Sequence, residues 1–324
     1  MIKQGKGTNT MKYMIKKITT LIITLLLVSV VTFVAFSVIP GDAAVAKLGS
    51  EATPERIEAM REEMGLNGTI PERYMRWLKG AVHGDFGESY QYRGIQVSEL
   101  LAQRLPVTML LAVLSLILIL VFSIPLGIIS ARKEGTWVDV FVNLFTQITM
   151  AIPAFFLGML LTYVLGIVLK LFQPGKFIMP QDDFWGCLRY LLFPAIAIAI
   201  PKIAMVVKFL RNSVLSEVKK DYVRTAYSKG NCTKKVLYIH VFQNALIPVI
   251  TFFAIVCAEV LSGSIVVEQV FGVTGIGRLL VTAITNRDFP VVQAVVLYVT
   301  ALVIIINFVV DMLYQLVDPR VRTE

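Results

Sequence analysis

Among the ionisable side chains inside apolar stretches of this chain, two lead as candidates for chemistry. Glu259 lies in a run from about Ala245 to Val267. Lys202 lies in a weaker run, from Tyr190 to about Leu210, that Pro194, Pro201 and Lys208 also interrupt. A charge in hydrocarbon is costly and defaults to a functional role, so both residues are candidates to line a route for a polar solute. The alternatives are an interhelical hydrogen bond for either one and, for Lys202, snorkelling of its ammonium to the inner interface. Asn307 and Asp311 share one helical face of a later apolar run, where bracing of helix packing is the expected role. Ser262, Gly263 and Ser264 are small enough to allow close helix approach.

No catalytic constellation accompanies them. There is no nucleophile elbow, no HExxH and no pair of carboxylates on one helix face. Cys187, Cys232 and Cys257 show neither CxxC nor metal-ligand spacing. With His83 and His240 as the two histidines, no histidine-based metal cluster can form, and His83 is expected in a loop or interface. Gly272, Gly275 and Gly277 invite a phosphate-loop reading. It fails for want of GxxxxGK[ST] and of a strand-to-helix context.

The elements that must hold Glu259 and Lys202 are membrane spans. Of 324 residues, 56% are hydrophobic and 16% charged, and the mean hydropathy is +0.73. Those values place the chain in the membrane class. The net charge of +9 is explained by basic residues on the inner side of a membrane rather than by nucleic acid, which is not an expected partner. The pattern predicts an all-α, polytopic protein with six transmembrane helices. Residues 1–17 form a basic cytoplasmic N-terminus, with Met1 or Met11 as the true start. Residues 18–39 form the first span, too long for the apolar core of a signal peptide and without a cleavage site. Residues 40–104 are a polar extracytoplasmic segment with short helices from Pro54, stopped at Gly65, and from about Pro71 to Lys79. Residues 105–317 hold five further spans: Val107–Ala131, Val140–Leu169, Tyr190 to about Leu210, about Ala245 to Val267, and about Val291 to Leu316. The second of these five exceeds the roughly 20 residues a bilayer needs, so it is tilted or broken near Pro153. Residues 318–324 are a cytoplasmic tail. In this arrangement the inner segments carry sixteen Lys/Arg and the short outer loops few, which sets the orientation.

A hydrophilic loop, residues 211–243, separates the fourth and fifth spans. From about Asn212 to Lys229 it has helical period, with Val214, Leu215, Val218, Tyr222 and Ala226 on one stripe. Gly230 stands where a helix end wants φ > 0, and Thr233 can cap a second helix from Lys234.

Asp221-Tyr222-Val223-Arg224-Thr225-Ala226 with Lys229-Gly230, followed by Val236-Leu237, His240 and Asn244-Ala245-Leu246, resembles the conserved cytoplasmic loop of ABC importer permeases, in the dipeptide/oligopeptide/nickel branch. Gln243, where many relatives carry arginine, and Asn231-Cys232 depart from that pattern. Pro40-Gly41-Asp42, Trp77-Leu78, Gly84-Asp85-Phe86-Gly87 with Ser89, and Arg104-Leu105-Pro106 resemble the N-terminal extension of the first permease subunit of that branch. Glu268 to Leu280, Arg287 to Gln293 and the Asp318-Pro319-Arg320 tail resemble its outer loop and C-terminus.

The resemblance implies a type I importer permease fold in the cell membrane, with both termini cytoplasmic. It implies four kinds of partner: a second homologous permease, two ABC ATPase subunits, an extracytoplasmic solute-binding protein and membrane lipid. ATP and magnesium would bind the ATPases, leaving this chain without a cofactor or enzymatic activity. Asp221, Tyr222, Val223, Arg224, Thr225, Ala226, Lys229 and Gly230 would form the ATPase-coupling loop, with Gly230 placed where a Cβ would clash. Glu259 and Lys202 would face the charged ends of a peptide on the translocation path. The solute implied is a di- or oligopeptide, with nickel or another chelate as the alternative. Rival readings are an integral-membrane enzyme, for which no catalytic groups converge, and a secondary transporter, for which coupling carboxylates and internal repeats would be expected.

Overall fold

The computed structural model describes residues 5–38, 43–48, 52–92 and 94–317. The Pro40-Gly41-Asp42 motif and the 318–324 tail lie outside the described residues. In chain order the helices are α1 (Gly5–Val38), α2 (Ala43–Leu48), α3 (Pro54–Glu63), α4 (Ile70–Val82), α5 (Val97–Arg132), α6 (Trp137–Ala151), α7 (Ala154–Leu161), α8 (Phe184–Val218), α9 (Asp221–Ser228), α10 (Thr233–Lys235), α11 (Phe242–Phe271), α12 (Ile276–Thr285) and α13 (Phe289–Val317). Two π-helical stretches, Thr162–Val168 and Val236–Val241, follow α7 and precede α11. Among the described residues, five helical stretches are long and apolar enough to cross a membrane, and α6 with α7 makes a sixth if that bent pair is one span.

The chain divides into two compact units. The first holds residues 1–106 and 275–305. Its α1 is rich in β-branched residues, which disfavour helix in water. In hydrocarbon every peptide group must bond within its own segment, so the helix forms regardless. Along the apolar stretch Lys17–Val38 most side chains face outward, Leu27 and Val31 among them. The two short helices of the polar segment form near where the sequence puts them. Thr53 and Pro54 open α3, and Gly65 follows its end at φ +65°. Glu72 reaches back to the Thr69 amide at 2.9 Å to open α4. A core of Val97, Leu100 and Leu101 packs with Ile276, Leu279 and Ala283 of α12 and Val291, Val292 and Val295 of α13. α12 lies within what the sequence suggested was an outer loop. The turn before α13 is pinned by Asp288, whose fully buried carboxylate accepts the Tyr90 amide at 3.0 Å, the Gln91 amide at 3.2 Å and the Ser89 hydroxyl.

The second unit holds residues 107–274 and 306–324. α6 and α7 meet at 97° across Ile152-Pro153. This is the break expected at Pro153, which lacks the amide needed to continue the ladder. α8 has 35 residues and carries Pro194 and Pro201 in its interior, so it extends past both ends of the span expected from the sequence. Its buried Ala195, Ala197, Ala199 and Ala204 let neighbours approach closely. Close approach also depends on Gly127, where a Cβ would meet Leu210 Cδ2 at 2.9 Å, and Gly158, where it would meet Phe271 Cε2 at 3.1 Å. Gly263, expected to serve this purpose, faces open space. Glu268 lies inside α11 rather than in a loop, fully buried and accepting the Thr108 hydroxyl at 2.8 Å.

Candidate functional site: the loop between α8 and α11

The stripe that suggested one helix from Asn212 to Lys229 is divided. α8 ends at Val218, Lys219 and Lys220 turn the chain, and α9 begins at Asp221. The two helices nevertheless serve one core. Val214 and Leu210 of α8, Val223 and Ala226 of α9, and Val236, Leu237, Val241, Ala245 and Val249 around the start of α11 pack as one cluster, with Ile128 and Ala131 of α5. Burying one such aliphatic side chain contributes about 1.5–3 kcal/mol. α9 is therefore held by a narrow seam, Val223 and Ala226, while Asp221, Arg224, Thr225 and Lys229 stand exposed.

Polar bonds fix how α9 sits. The Tyr222 hydroxyl donates to Glu217 Oε1 at 2.9 Å and accepts from Asn244 Nδ2 at 3.2 Å. Asn244 also donates to the His240 carbonyl at 2.8 Å. Lys220 pairs with the other oxygen of Glu217 at 2.6 Å. Partial burial pushes the Tyr222 phenol above its ordinary value, and Glu217 beside it adds to the shift. It therefore stays a donor throughout the neutral range.

α9 ends in a Schellman turn. The Gly230 amide bonds the Tyr227 carbonyl at 2.9 Å, and the Asn231 amide reaches back to Ala226 at 3.4 Å. Asn231 Nδ2 donates to the same Ala226 carbonyl at 3.0 Å. Gly230 has φ +77°, and a Cβ there would meet nothing within 4 Å. The expected clash is absent, and the requirement for glycine is the left-handed backbone itself. Thr233 is not the cap of the second helix. Cys232 holds the N-cap position, and Thr233 is the first residue of α10.

Sequence reasoning missed a second anchor. Arg211 grips Asp139 with two bonds, Nε to Oδ1 at 2.6 Å and the second guanidinium nitrogen to Oδ2 at 2.7 Å. Asp139 also accepts the Ser130 hydroxyl at 2.6 Å, the Gly135 amide at 3.1 Å and Asn143 Nδ2 at 2.9 Å. The ends of α5, α6 and α8 are thus joined through one carboxylate. Partners 72 positions apart leave no local pattern to find.

Lys202 and Glu259 are brought together, near the middles of α8 and α11. Lys202 Nζ donates to Glu259 Oε2, with the two side chains 20% and 38% exposed. The interhelical bond considered from sequence is present, and snorkelling of Lys202 is not. The coupling residues are not part of this pair. Sixteen residues of α8 separate Lys202 from Val218, about 24 Å at 1.5 Å each. Asn307 on α13 is exposed, and the side chain of Asp311 lies outside the described residues. His83 closes α4, with Nδ1 at 2.8 Å from the Lys79 carbonyl.

Residues 123–323 match the family of binding-protein-dependent transport system inner membrane components. The chain belongs to that family. Residues 10–112 match the N-terminal region of the same membrane components. The permease is 35% identical over 312 residues to the oligopeptide transport system permease protein AppB of Bacillus subtilis, covering 96% of this chain and 99% of that one. It is 33% identical over 310 residues to a probable peptide ABC transporter permease of Sinorhizobium fredii, covering 96% and 99%. It is 35% identical over 308 residues to a putative peptide transport system permease of Brucella abortus, covering 95% and 98%. Among solved structures, an inward-facing MetNI methionine ABC transporter superposes with a TM-score of 0.53 at 18% identity, over 68% of this chain and 96% of that chain. That likeness concerns fold alone, and it agrees with a type I importer permease of all-α, multi-pass architecture. The chain is an ABC importer permease of the inner membrane, whose family pairs such permeases with a separate ATPase subunit.

Proposed function

We propose that this permease imports di- or oligopeptides as one of two homologous membrane subunits, driven by two separate ATPase subunits and supplied by an extracytoplasmic binding protein. The observation that carries the reading is α9. It is a short helix with its apolar seam sunk in the core shared by α8 and α11 and its charged face turned outward. A partner that grips Asp221, Arg224, Thr225 and Lys229 cannot shift α9 without moving the ends of both helices. Differential grip in two ATPase states would shift the permease between two conformations. The names of the peptide permeases to which it is 33–35% identical favour a peptide over a nickel chelate. The distribution of Lys and Arg supports a cytoplasmic loop and cytoplasmic termini.

Lys202 and Glu259 lie on the translocation path in this reading. They are partly exposed and opposite in charge, which suits the two termini of a zwitterionic peptide. The test is purification of the chain from its native membrane in mild detergent, followed by ATP-driven uptake of labelled peptides by the reconstituted complex. A second permease and two ATPases should co-purify, and peptide should accumulate only with ATP and binding protein. A stably folded chain recovered alone, or uptake indifferent to ATP, overturns the reading.

A further inference from the structure

The polar segment after α1 contains an amphipathic helix whose apolar arc is only partly covered. On a helical wheel, Trp77, Ile70, Ala81, Tyr74, Leu78, Pro71, Val82 and Met75 of α4 follow one another around an arc of about 160°, with Arg73, Arg76, Lys79 and Glu72 on the remainder. Tyr74 and Trp77 pack on α1. The Tyr74 ring meets Phe33 edge-on at 5.4 Å, Trp77 lies 5.9 Å from Phe33, and the Tyr74 hydroxyl bonds Ser29 Oγ at 2.8 Å. The far end of the arc is uncovered, with Met75 62% and Val82 75% exposed.

Depth decides what covers it. Ser29 lies nine residues before the end of α1 and Phe33 five, about 13 Å and 8 Å along the helix axis. With the end of α1 at the membrane boundary, a side chain bonded to Ser29 reaches into the hydrocarbon while its backbone stays near that boundary. Leu78, Pro71, Val82 and Met75 continue around the helix from the side that packs on α1. Tyr74 and Trp77 are the residue types that favour this boundary, Lys79 borders the uncovered arc beside Met75, and Arg76 lies about 100° round the helix from Met75.

We propose that α4 is an interfacial helix, lying in the plane of the membrane with Met75, Leu78 and Val82 in the acyl region and Arg76 and Lys79 among the headgroups. Its occupant is lipid of the leaflet at the C-terminal end of α1. The segment between α1 and α5 is thereby anchored to the bilayer as well as to the spans. The proposal rests on α1 being a membrane span.

Single cysteines at Met75 and Val82, at Arg76 and Lys79, and at Leu27 of α1 are placed in the full chain in its native membrane. Modification by a water-soluble maleimide is followed peptide by peptide by mass spectrometry, so that the native cysteines do not interfere. Met75→Cys and Val82→Cys should react at least ten-fold more slowly than Arg76→Cys, with Lys79→Cys, at the edge of the arc, in between. A bimane attached at Met75→Cys should be quenched by brominated phospholipid. Equal rates at Met75→Cys, Val82→Cys and Arg76→Cys overturn the proposal. Slow reaction at Met75→Cys without lipid quenching also overturns it, since a protein partner would then be the cover. Fast reaction at Leu27→Cys would instead show that α1 is not in the bilayer.

Discussion

Gly230 permits a prediction that separates backbone conformation from contact. An L-residue held in the left-handed region costs about 1–2 kcal/mol, and a β-branched one more. The site has φ +77° and open space around the missing Cβ, so torsion is the whole cost. Ala should therefore lose about 1–2 kcal/mol of α9 docking, and Val more than 2. Asn, which tolerates this region, should lose a few tenths. A residue that escapes the strain by leaving φ > 0 forfeits the amide bonds to Tyr227 and Ala226 instead, at about 1 kcal/mol each. A loss of 1–2 kcal/mol raises the undocked fraction of α9 by roughly 5- to 30-fold. Hydrogen exchange over residues 221–231 reads that fraction directly, and ATP-driven uptake reads its consequence. Both should rank Gly, Asn, Ala, Val. If Gly230→Asn transports as poorly as Gly230→Val while exchange in both stays native, the conformational account is wrong. The glycine would then be required because a partner packs against it.

Other perturbations test the surrounding geometry. Asp139→Asn should destabilise the permease by roughly 3–5 kcal/mol, the scale for stripping one partner from a buried pair, because Arg211 loses the carboxylate it grips with two bonds. Replacing both by Leu and Met should recover most of the thermal midpoint, and a midpoint unmoved by Asp139→Asn would refute the anchor. Exchange of charges in Lys202→Glu with Glu259→Lys should restore the abundance lost in either single variant. If these residues bind peptide termini, uptake will not return with it; full recovery of uptake would make the pair a brace only. Tyr222→Phe removes the bond to Glu217 and should cost about 1 kcal/mol, seen as faster exchange in α9. Because the folded-state pKa of Tyr222 is raised, the contribution of its protonated hydroxyl is fully present below the ordinary tyrosine value and is lost only as pH rises beyond it. Loss of α9 protection on titration between pH 7 and 9 would contradict that assignment.

Local rules reached far in this chain. Pro153 announced the bend between α6 and α7 because a missing amide acts wherever it stands. Gly230 announced the end of α9 for a similar reason. The same rules failed where two segments share a core. Val214 and Ala226 keep one period across the turn at Lys219 and Lys220, and both pack into the same cluster, so periodicity could not show the break. The Arg211–Asp139 pair was hidden by distance along the chain. Asp139 reads locally as an acid in the first turn of a helix, which explains it without any partner. Glu259 and Lys202 were recognisable one at a time by their cost in hydrocarbon. That they neutralise each other depended on the register of α8 against α11.

The neutrality of that pair bears on membrane voltage. A single charge carried across the full field does work of about 2.3 kcal/mol per 100 mV. Lys202 and Glu259 sit together near the middles of their helices, so this pair contributes no net charge to a rearrangement that moves α8 with α11. This pair then adds no voltage bias of its own to the switch. Glu259→Gln would strand the Lys202 charge in the field, and uptake by that variant would slope with an imposed diffusion potential where the parent's stays flat.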